Sequence, residues 1–155
     1  MEAYSDADFG GDPERGRSTS GTVVMYGGAA IVTRSKLQTL TSLSTHEAEF
    51  VALSETVKSV LLMKRLLADM GEQQASVNIY VDNQGVIRST EGETARSGAS
   101  SKNFWVRQFF CQDMITAGVI RLSYVATADN VADILTKPLG RVKLDRFKRS
   151  ILGSK

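Results

Sequence analysis

The chain has 155 residues, of which 42% are hydrophobic and 23% charged, as in one ordinary globular domain. Its 19 basic and 17 acidic residues leave a net charge of +2, too even a balance to indicate nucleic-acid binding by itself. The one cysteine, Cys111, excludes an internal disulfide, and no apolar run reaches the about 18 residues of a membrane span. We therefore expect a soluble, intracellular, unsecreted single domain covering 1–155, without a membrane partner.

The first third of the sequence predicts three antiparallel strands. A short extended stretch at 4–6 is followed by Gly-Gly and Asp-Pro turn residues and a polar segment. Two β-rich runs, 22–26 and 29–34, are then separated by Gly27 and Gly28, which is typical of a hairpin.

A long helix and a buried strand are predicted next. Ser44 and Glu47 have the spacing of a capping box, and apolar residues then recur at helical spacing as far as Gly71. The following run, 77–81, alternates apolar and polar residues and ends in Asp82.

The remaining elements alternate helices with one strand. We expect a short helix at 84–89, a weakly structured polar loop at 91–101, a helix at 104–117, a strand at 119–126, a helical stretch at 128–136 and a basic amphipathic helix at 141–152. In the last helix Val142, Phe147 and Leu152 are the expected apolar side. This order predicts an α/β fold with a five-stranded mixed sheet, in which the first three strands are antiparallel and the last two run parallel to the first.

Acidic residues occur where such a sheet would gather ligands. Asp6 and Asp82 end the first and fourth strands, and ligands bind outside the carboxyl ends of parallel strands. Glu49 lies in the first turns of the long helix, and Asp133 lies in the late helical stretch. Carboxylates brought together repel one another unless a cation neutralises them. With 17 acidic residues present, however, position alone favours ordinary capping, strand-end and solvated roles.

Five sequence motifs surround these acids. They are Tyr-Ser-Asp-Ala-Asp-Phe-Gly-Gly-Asp at 4–12, Arg-Ser-Thr-Ser-Gly at 17–21, Leu-Ser-Thr-His-Glu-Ala-Glu-Phe at 43–50, Tyr-Val-Asp-Asn-Gln at 80–84 and Ala-Asp-Ile-Leu-Thr-Lys-Pro-Leu at 132–139. In this order they resemble the ribonuclease H domain at the carboxyl end of copia-type LTR retrotransposon Pol polyproteins. The resemblance extends over nearly the whole chain, from about 4 to 152.

The resemblance implies the ribonuclease H fold, with helices on both faces of the sheet. It also implies hydrolysis of the RNA strand of RNA/DNA hybrids during reverse transcription by two Mg²⁺ ions, or Mn²⁺ in their place. The metal-binding and catalytic residues implied are Asp6, Glu49, Asp82 and Asp133. Asp6 and Glu49 are preferred over the neighbouring Asp8 and Glu47, which would support the site or cap the helix.

The same resemblance implies a substrate and a partner. Asn83 and Gln84 are our candidates for contacting the RNA 2′-hydroxyl. Candidates for phosphate contacts are Arg17, Ser18, Lys102, Arg107 and the basic run 141–149. The expected partner is the reverse-transcriptase domain of the same polyprotein, with the isolated domain a monomer. The expected location is the cytoplasm, in the virus-like particle of the element.

Several alternatives stay open. The basic run also fits a solvated helix face, and Trp105 fits packing better than stacking on nucleic acid. His46, the one histidine, fits an exposed residue near a helix start better than a proton shuttle. Asn103 stands where relatives typically have a histidine, which puts substrate contact there in doubt. The alternative function is a catalytically inactive scaffold or nucleic-acid-binding module, while an integrase-like strand transferase fits the motifs poorly.

Overall fold

Five strands form one mixed sheet in the computed structural model, which describes residues 1–92 and 102–153. The strands are β1 Glu2–Asp8, β2 Thr19–Tyr26, β3 Ala29–Leu37, β4 Val77–Val81 and β5 Ile120–Tyr124. Their spatial order is β3-β2-β1-β4-β5. The β1–β2 and β2–β3 pairs are antiparallel, whereas β1–β4 and β4–β5 are parallel. The predicted mixed sheet is therefore confirmed.

Within those described residues, four α-helices and one 3-10 helix pack around the sheet. The α-helices are α1 Thr45–Asp69, α2 Gln84–Glu91, α3 Lys102–Thr116 and α4 Arg141–Leu152, and the 3-10 helix is Val131–Leu135. In the ranges that the structure describes, none of these helices combines the length and apolarity needed to cross a membrane.

Alternating residues of β2 show that the sheet is covered on both faces. Val24 joins the main core, where Phe50 and Leu53 of α1 pack against the sheet. Its neighbours Val23 and Met25 join a second cluster on the opposite face, with Ala132 of the 3-10 helix. Because successive strand residues point to opposite faces, α1 and the 3-10 helix lie on different sides of the sheet.

The N-terminus of α1 is fixed by the predicted cap. The Ser44 hydroxyl accepts a hydrogen bond from the Glu47 backbone N–H at 3.1 Å. In return the Glu47 carboxylate accepts from the Leu43 N–H at 2.8 Å, so two donors at the helix start are satisfied. Glu47 is thus the capping acid, and Glu49 begins the buried face of the helix.

Three predicted features differ from the structure. Residues 128–136 do not form an α-helix; only Val131–Leu135 is helical, as a 3-10 turn, because buried Asn130 caps it and Pro138 follows closely. In α4 only Phe147 is buried, while Val142 and Leu152 are 87% and 72% exposed. In the predicted loop 91–101, Glu91 belongs to α2, and the part from 93 to 101 lies outside the described residues.

Candidate metal centre

Asp6 and Asp82 lie side by side just beyond Tyr4 and Tyr80, the last paired residues of the central parallel strands β1 and β4. Tyr4 pairs with Tyr80 in the β1–β4 register, and each aspartate follows its tyrosine by two residues. The two tyrosine rings stack with centroids 4.9 Å apart, which places them on one face of the sheet. Because the side-chain period of a strand is two, both aspartates point to that face as well.

The 3-10 helix carries Asp133 to the same place. Asn130 anchors the start of this turn: its Nδ2 donates to the Ser5 carbonyl at 2.9 Å, and its Oδ1 accepts from the Ala132 N–H at 3.2 Å. As a result, Asp6, Asp82 and Asp133 each offer a carboxylate oxygen within 4.8 Å of one another.

The close approach of this turn to β2 requires a glycine at position 21. A Cβ at Gly21 would lie 2.7 Å from Thr136 Cγ2 and 2.8 Å from the Ala132 carbonyl oxygen, both too short for real contacts. Gly21 therefore helps to position Asp133, although it offers no ligand atom itself.

Glu49 approaches the cluster from α1. Its carboxylate accepts a backbone hydrogen bond from Ala7, and the residue is 6% exposed. Burial, together with the charges of Asp6 and Asp82, raises the pKa of Glu49 to about 9. Glu49 does not belong to the group of three aspartates whose oxygens lie within 4.8 Å of one another. It is nevertheless close enough for the charges of Asp6 and Asp82 to act on its carboxylate.

The pKa of Asp6 is also raised, to about 6. Burial is the main cause; a hydrogen bond from Thr136 and the charge of Lys137 lower the value, while Asp133 and Asp82 raise it. Holding all these groups ionised therefore costs free energy unless positive charge is supplied.

Two lysines supply part of that charge. Lys137 Nζ lies 2.8 Å from Asp133 Oδ1 and 3.6 Å from Asp6 Oδ2. Lys143, from α4, pairs with the other Asp133 oxygen, Oδ2. Burial alone would lower the pKa of Lys137, but its hydrogen bond to Asp133 and the nearby carboxylates raise it.

Sequence reasoning missed Lys137 and Thr136, and it placed Lys143 among the phosphate contacts of the basic run 141–149 rather than beside Asp133. Thr136 and Lys137 belong to the motif at 132–139, where only Asp133 had been assigned a role. The spacing of four residues between Asp133 and Lys137 was a usable signal, whereas nothing in the sequence links Lys143 to Asp133.

The donor set fits a hard divalent cation. Oxygen ligands at closely spaced, partly buried positions are what Mg²⁺ and Mn²⁺ prefer, and the charge of the cluster exceeds what two lysines neutralise. Asp82 is the half-buried member, so the cluster is open to solvent on its side.

The two predicted 2′-hydroxyl contacts directly follow Asp82 in the chain, at the start of α2. Asn83 caps α2, with Oδ1 accepting from the Gly85 and Val86 N–H groups at 2.9 and 3.2 Å. Gln84, the first residue of α2, is exposed.

The predicted phosphate contacts lie in different settings. Lys102 is exposed at the start of α3 and Arg17 is half-buried in the β1–β2 connection. Arg107 is half-buried in a groove and already paired, with Nη1 2.5 Å from Ser54 Oγ and 3.2 Å from Glu55 Oε1. Ser18 is fully buried, and its hydroxyl accepts a hydrogen bond from the Gly10 N–H at 3.1 Å. It therefore stabilises the β1–β2 connection and has no exposed atom that a phosphate could contact.

Two basic residues of the run on α4, half-buried Lys143 and exposed Arg146, are paired with other parts of the chain. Lys143 and Arg146 bind back to the segment before the 3-10 helix, at the Thr127 carbonyl and at Asp129 respectively. Lys148 and Arg149 are exposed. The internal pairs attach α4 to the segment that carries Asp133.

His46 is not exposed as expected. It is half-buried, its ring packs edge-on against Phe50 at 5.1 Å, and its Nε2 lies 3.3 Å from Ser89 Oγ. The expectation was wrong because α2 lies over the start of α1; burial also lowers the pKa of His46.

Trp105 packs against the main core, and Cys111 is a buried thiol whose pKa burial raises to about 12.

A second charged region lies away from the carboxylates. A groove of about 660 Å³ between β3, α1 and the start of α3 is lined by Arg34, Glu55 and Arg107, among others. Glu55 pairs there with Lys58 at 2.8 Å, Arg107 at 3.2 Å and Arg34 at 3.8 Å.

Two solved structures that share this architecture are ribonucleases H. RNase H1 from Halobacterium salinarum NRC-1 aligns with a TM-score of 0.61 and 19% identity, over 87% of this chain and 92% of that one. LC11-RNase H1, solved in complex with RNA/DNA hybrid, aligns with a TM-score of 0.63 and 15% identity, over 86% and 91%. The protein therefore has the ribonuclease H fold.

Sequence relatives define the family more closely. The Pol polyproteins of transposon TNT 1-94 from Nicotiana tabacum and transposon RE2 from Arabidopsis thaliana are 32% and 34% identical to this chain over 97% of its length. No protein-family model matches. The chain belongs with the ribonuclease H domains of copia-type retrotransposon Pol polyproteins, which confirms the resemblance in the motifs, and it spans about a tenth of the length of these relatives.

Proposed function

We propose that the protein is a metal-dependent ribonuclease H that hydrolyses the RNA strand of RNA/DNA hybrids. The observation that carries the proposal is the cluster of Asp6, Asp82 and Asp133 oxygens within 4.8 Å at the ends of the central strands. The ribonuclease H fold and the similarity to Pol polyproteins support the same chemistry.

The carboxylates of Asp6, Asp82, Asp133 and Glu49 would hold two Mg²⁺ ions, or Mn²⁺ in their place. When bound, such a pair makes a water more acidic and compensates negative charge on the leaving oxygen. The chain keeps its own carboxylates in position: the Thr136 hydroxyl donates to Asp6 Oδ2, and the Ala7 N–H donates to Glu49. No protein side chain needs to act as a nucleophile.

Recognition of RNA would depend on the start of α2. The Asn83 Oδ1 accepts the hydrogen bonds of the helix cap, which fixes the orientation of the amide. Its Nδ2 would then be left to donate a hydrogen bond to a 2′-hydroxyl. Gln84 is exposed beside it. Arg17, Lys102, Arg107 and the exposed Lys148 and Arg149 would contact phosphates, which give affinity without sequence preference.

We also propose the setting in which the domain works. It would form a single domain over 1–155 and act beside the reverse-transcriptase domain of its polyprotein, during reverse transcription in the cytoplasmic virus-like particle. A foamy viral protease-reverse transcriptase, solved with RNA/DNA hybrid, contains a segment of this fold covering 19% of that chain, with a TM-score of 0.61. In isolation we expect a monomer.

The test is cleavage of a labelled RNA/DNA hybrid with Mg²⁺ by the wild-type protein and by Asp82→Asn. We expect cleavage by the wild type only, with 5′-phosphate and 3′-hydroxyl ends on the RNA. Duplex DNA of the same sequence is the substrate control and should stay intact. Equal products from both proteins would contradict the proposal, and binding without cleavage by the wild type would favour an inactive nucleic-acid-binding module.

A further inference from the structure

The Lys137 ammonium bridges two of the carboxylates assigned to the metals. It lies 2.8 Å from Asp133 Oδ1 and 3.6 Å from Asp6 Oδ2. This is the bridging position between two acids that an oxygen-seeking cation would also take. Lys137 follows Asp133 by four residues, so its side chain returns to the cluster from just beyond the 3-10 helix.

Lys143 neutralises the same aspartate from the other side. It pairs with Asp133 Oδ2, its Nζ donates to the Thr127 carbonyl at 3.0 Å, and it lies 5.2 Å from the centre of the Phe147 ring. Among the described residues, its ion pair is with Asp133 alone. Two lysines of equal charge therefore hold one carboxylate, but only Lys137 also reaches Asp6.

We propose that Lys137 competes with divalent cations for Asp6 and Asp133, and so lowers the metal affinity of the site until substrate arrives. The inference rests on the proposed function, because it concerns the same carboxylates. Two cations cannot share these oxygens without repulsion, so the ammonium has to withdraw when a metal binds.

The Lys137 side chain is able to withdraw. It is 34% exposed, whereas the Asp133 side chain is fully buried, so the lysine can turn outward and the aspartate cannot. A lysine has a flexible stem and a strongly hydrated head, which makes such a movement inexpensive. Outside the cluster, the ammonium would meet the substrate phosphates that approach the half-buried Asp82.

This competition couples metal binding to substrate binding. A phosphate that attracts the ammonium leaves the carboxylates to the metal, and metal binding in turn releases the ammonium for the phosphate. By thermodynamic linkage each ligand must then raise the affinity for the other by the same factor. The consequence is weak metal loading of the free protein and tighter loading once hybrid is bound.

The experiment measures Mn²⁺ affinity by calorimetry without nucleic acid, for the wild type, Lys137→Met, Lys137→Arg and Lys143→Met. We expect Lys137→Met to bind Mn²⁺ about tenfold more tightly, the effect of losing one opposite charge near a carboxylate. Lys137→Arg keeps the charge and should bind as the wild type does. Lys143→Met loses the same charge outside the bridge and should gain at most about threefold.

Thermal unfolding gives a second readout that does not depend on activity. The rise in melting temperature on adding Mn²⁺ should be larger for Lys137→Met than for the wild type, because tighter binding stabilises the folded state more. Lys137→Gln, which keeps a polar partner for Asp133, carries the same expectation and replaces Lys137→Met if that variant does not fold.

Unchanged or weaker Mn²⁺ binding by Lys137→Met and Lys137→Gln would overturn the inference. Equal gains in Lys137→Met and Lys143→Met would also overturn it, because net charge rather than the bridging position would then set the affinity. The proposed function fails separately: a wild-type protein that binds Mn²⁺ and cleaves hybrid keeps that function even if the lysine variants bind no more tightly. If no protein binds Mn²⁺, both proposals are wrong.

Discussion

Asp133 and Glu55 each pair with basic side chains, but carboxylates are in excess around Asp133 and basic groups are in excess around Glu55. Asp133 is fully buried, paired with Lys137 and Lys143, and shares its surroundings with the carboxylates of Asp6 and Asp82. The Glu55 side chain is 17% exposed and is surrounded by three basic groups, from Lys58, Arg107 and Arg34. An ion pair therefore does not by itself identify the function of a carboxylate.

The balance of charge decides what each region can bind. Around Asp133, near the ends of the central strands, the acids outnumber the lysines, and the pKa values of Asp6 and Glu49 are raised. At Glu55 the bases outnumber the acid; although burial would raise its pKa, hydrogen bonds from Lys58 and Arg107 lower it. The first region lacks positive charge and suits a metal ion, while the second has an excess and suits a phosphate.

The largest effect is expected when Glu49, the buried acid beside the carboxylate cluster, is replaced. We expect Glu49→Gln to reduce cleavage of RNA/DNA hybrid by at least about 100-fold, because a carboxylate proposed to hold the metal ions is lost. In EDTA at pH 8 the same variant should be at least as stable as the wild type, because glutamine removes a carboxyl whose ionisation burial opposes. Cleavage rates and urea unfolding measure the two effects. A Glu49→Gln protein that cleaves normally would remove Glu49 from the site.

The pH dependence of stability should depend on divalent cations. In EDTA, Asp6 and Glu49 have folded-state pKa values of about 6 and about 9, above their ordinary values. Between the unfolded and folded pKa values the folded state binds more protons, so stability falls as pH rises. We expect a loss on the order of 5 kcal/mol between pH 5 and pH 8, most of it from Glu49. Mg²⁺ should reduce this loss by favouring the ionised carboxylates.

Urea unfolding at several pH values, with EDTA or with Mg²⁺, measures this difference. Glu55 contributes the opposite slope, because its pKa is lower in the folded state than in the unfolded state. Its ionised form therefore stabilises the fold above the unfolded-state pKa, and this stabilisation is lost as the pH falls through the folded-state pKa. Identical pH profiles with and without Mg²⁺ would contradict a metal site formed by Asp6 and Glu49.

Gly21→Ala should damage the carboxylate region without touching a ligand. The added Cβ would meet Thr136 Cγ2 and the Ala132 carbonyl, which forces the 3-10 helix away from β2. Such overpacking costs about 1–3 kcal/mol. We expect lower stability together with weaker Mn²⁺ binding, as Asp133 moves. Gly140→Ala, where a Cβ meets nothing within 4 Å, is the matched control; equal losses in both variants would contradict the positioning role.

Local patterns in the sequence were sufficient to predict the sheet and to place Asp6 near Asp82, but not to assign either residue a function. Strand alternation at 77–81 and helical spacing in α1 are local signals, and parallel strand ends place Asp6 beside Asp82. Glu49 and Asp133 could be named as acids in helical segments, but only the family motifs assigned them to the site, because no local pattern shows which segment returns to the strand ends. The prediction for Val142 and Leu152 was wrong for a similar reason, since hydrophobicity does not show which helix face is covered.

The smallest effect is expected at Glu55. In Glu55→Gln the groups of Arg34, Lys58 and Arg107 lose their shared partner, and we expect a loss of about 1 kcal/mol, as for partly exposed ion pairs. The basic groups then become available to phosphates, so hybrid binding should tighten by about two- to fivefold and become more sensitive to salt. Mn²⁺ affinity should stay unchanged, because Glu55 lies in the groove and outside the carboxylate cluster.

Binding titrations at two salt concentrations measure this effect. They use Asp82→Asn, which we expect to be inactive, as the background, so that binding is separated from cleavage. Weaker hybrid binding in Glu55→Gln would show that Glu55 orients Arg107 for its contact, and that charge balance alone does not describe the groove.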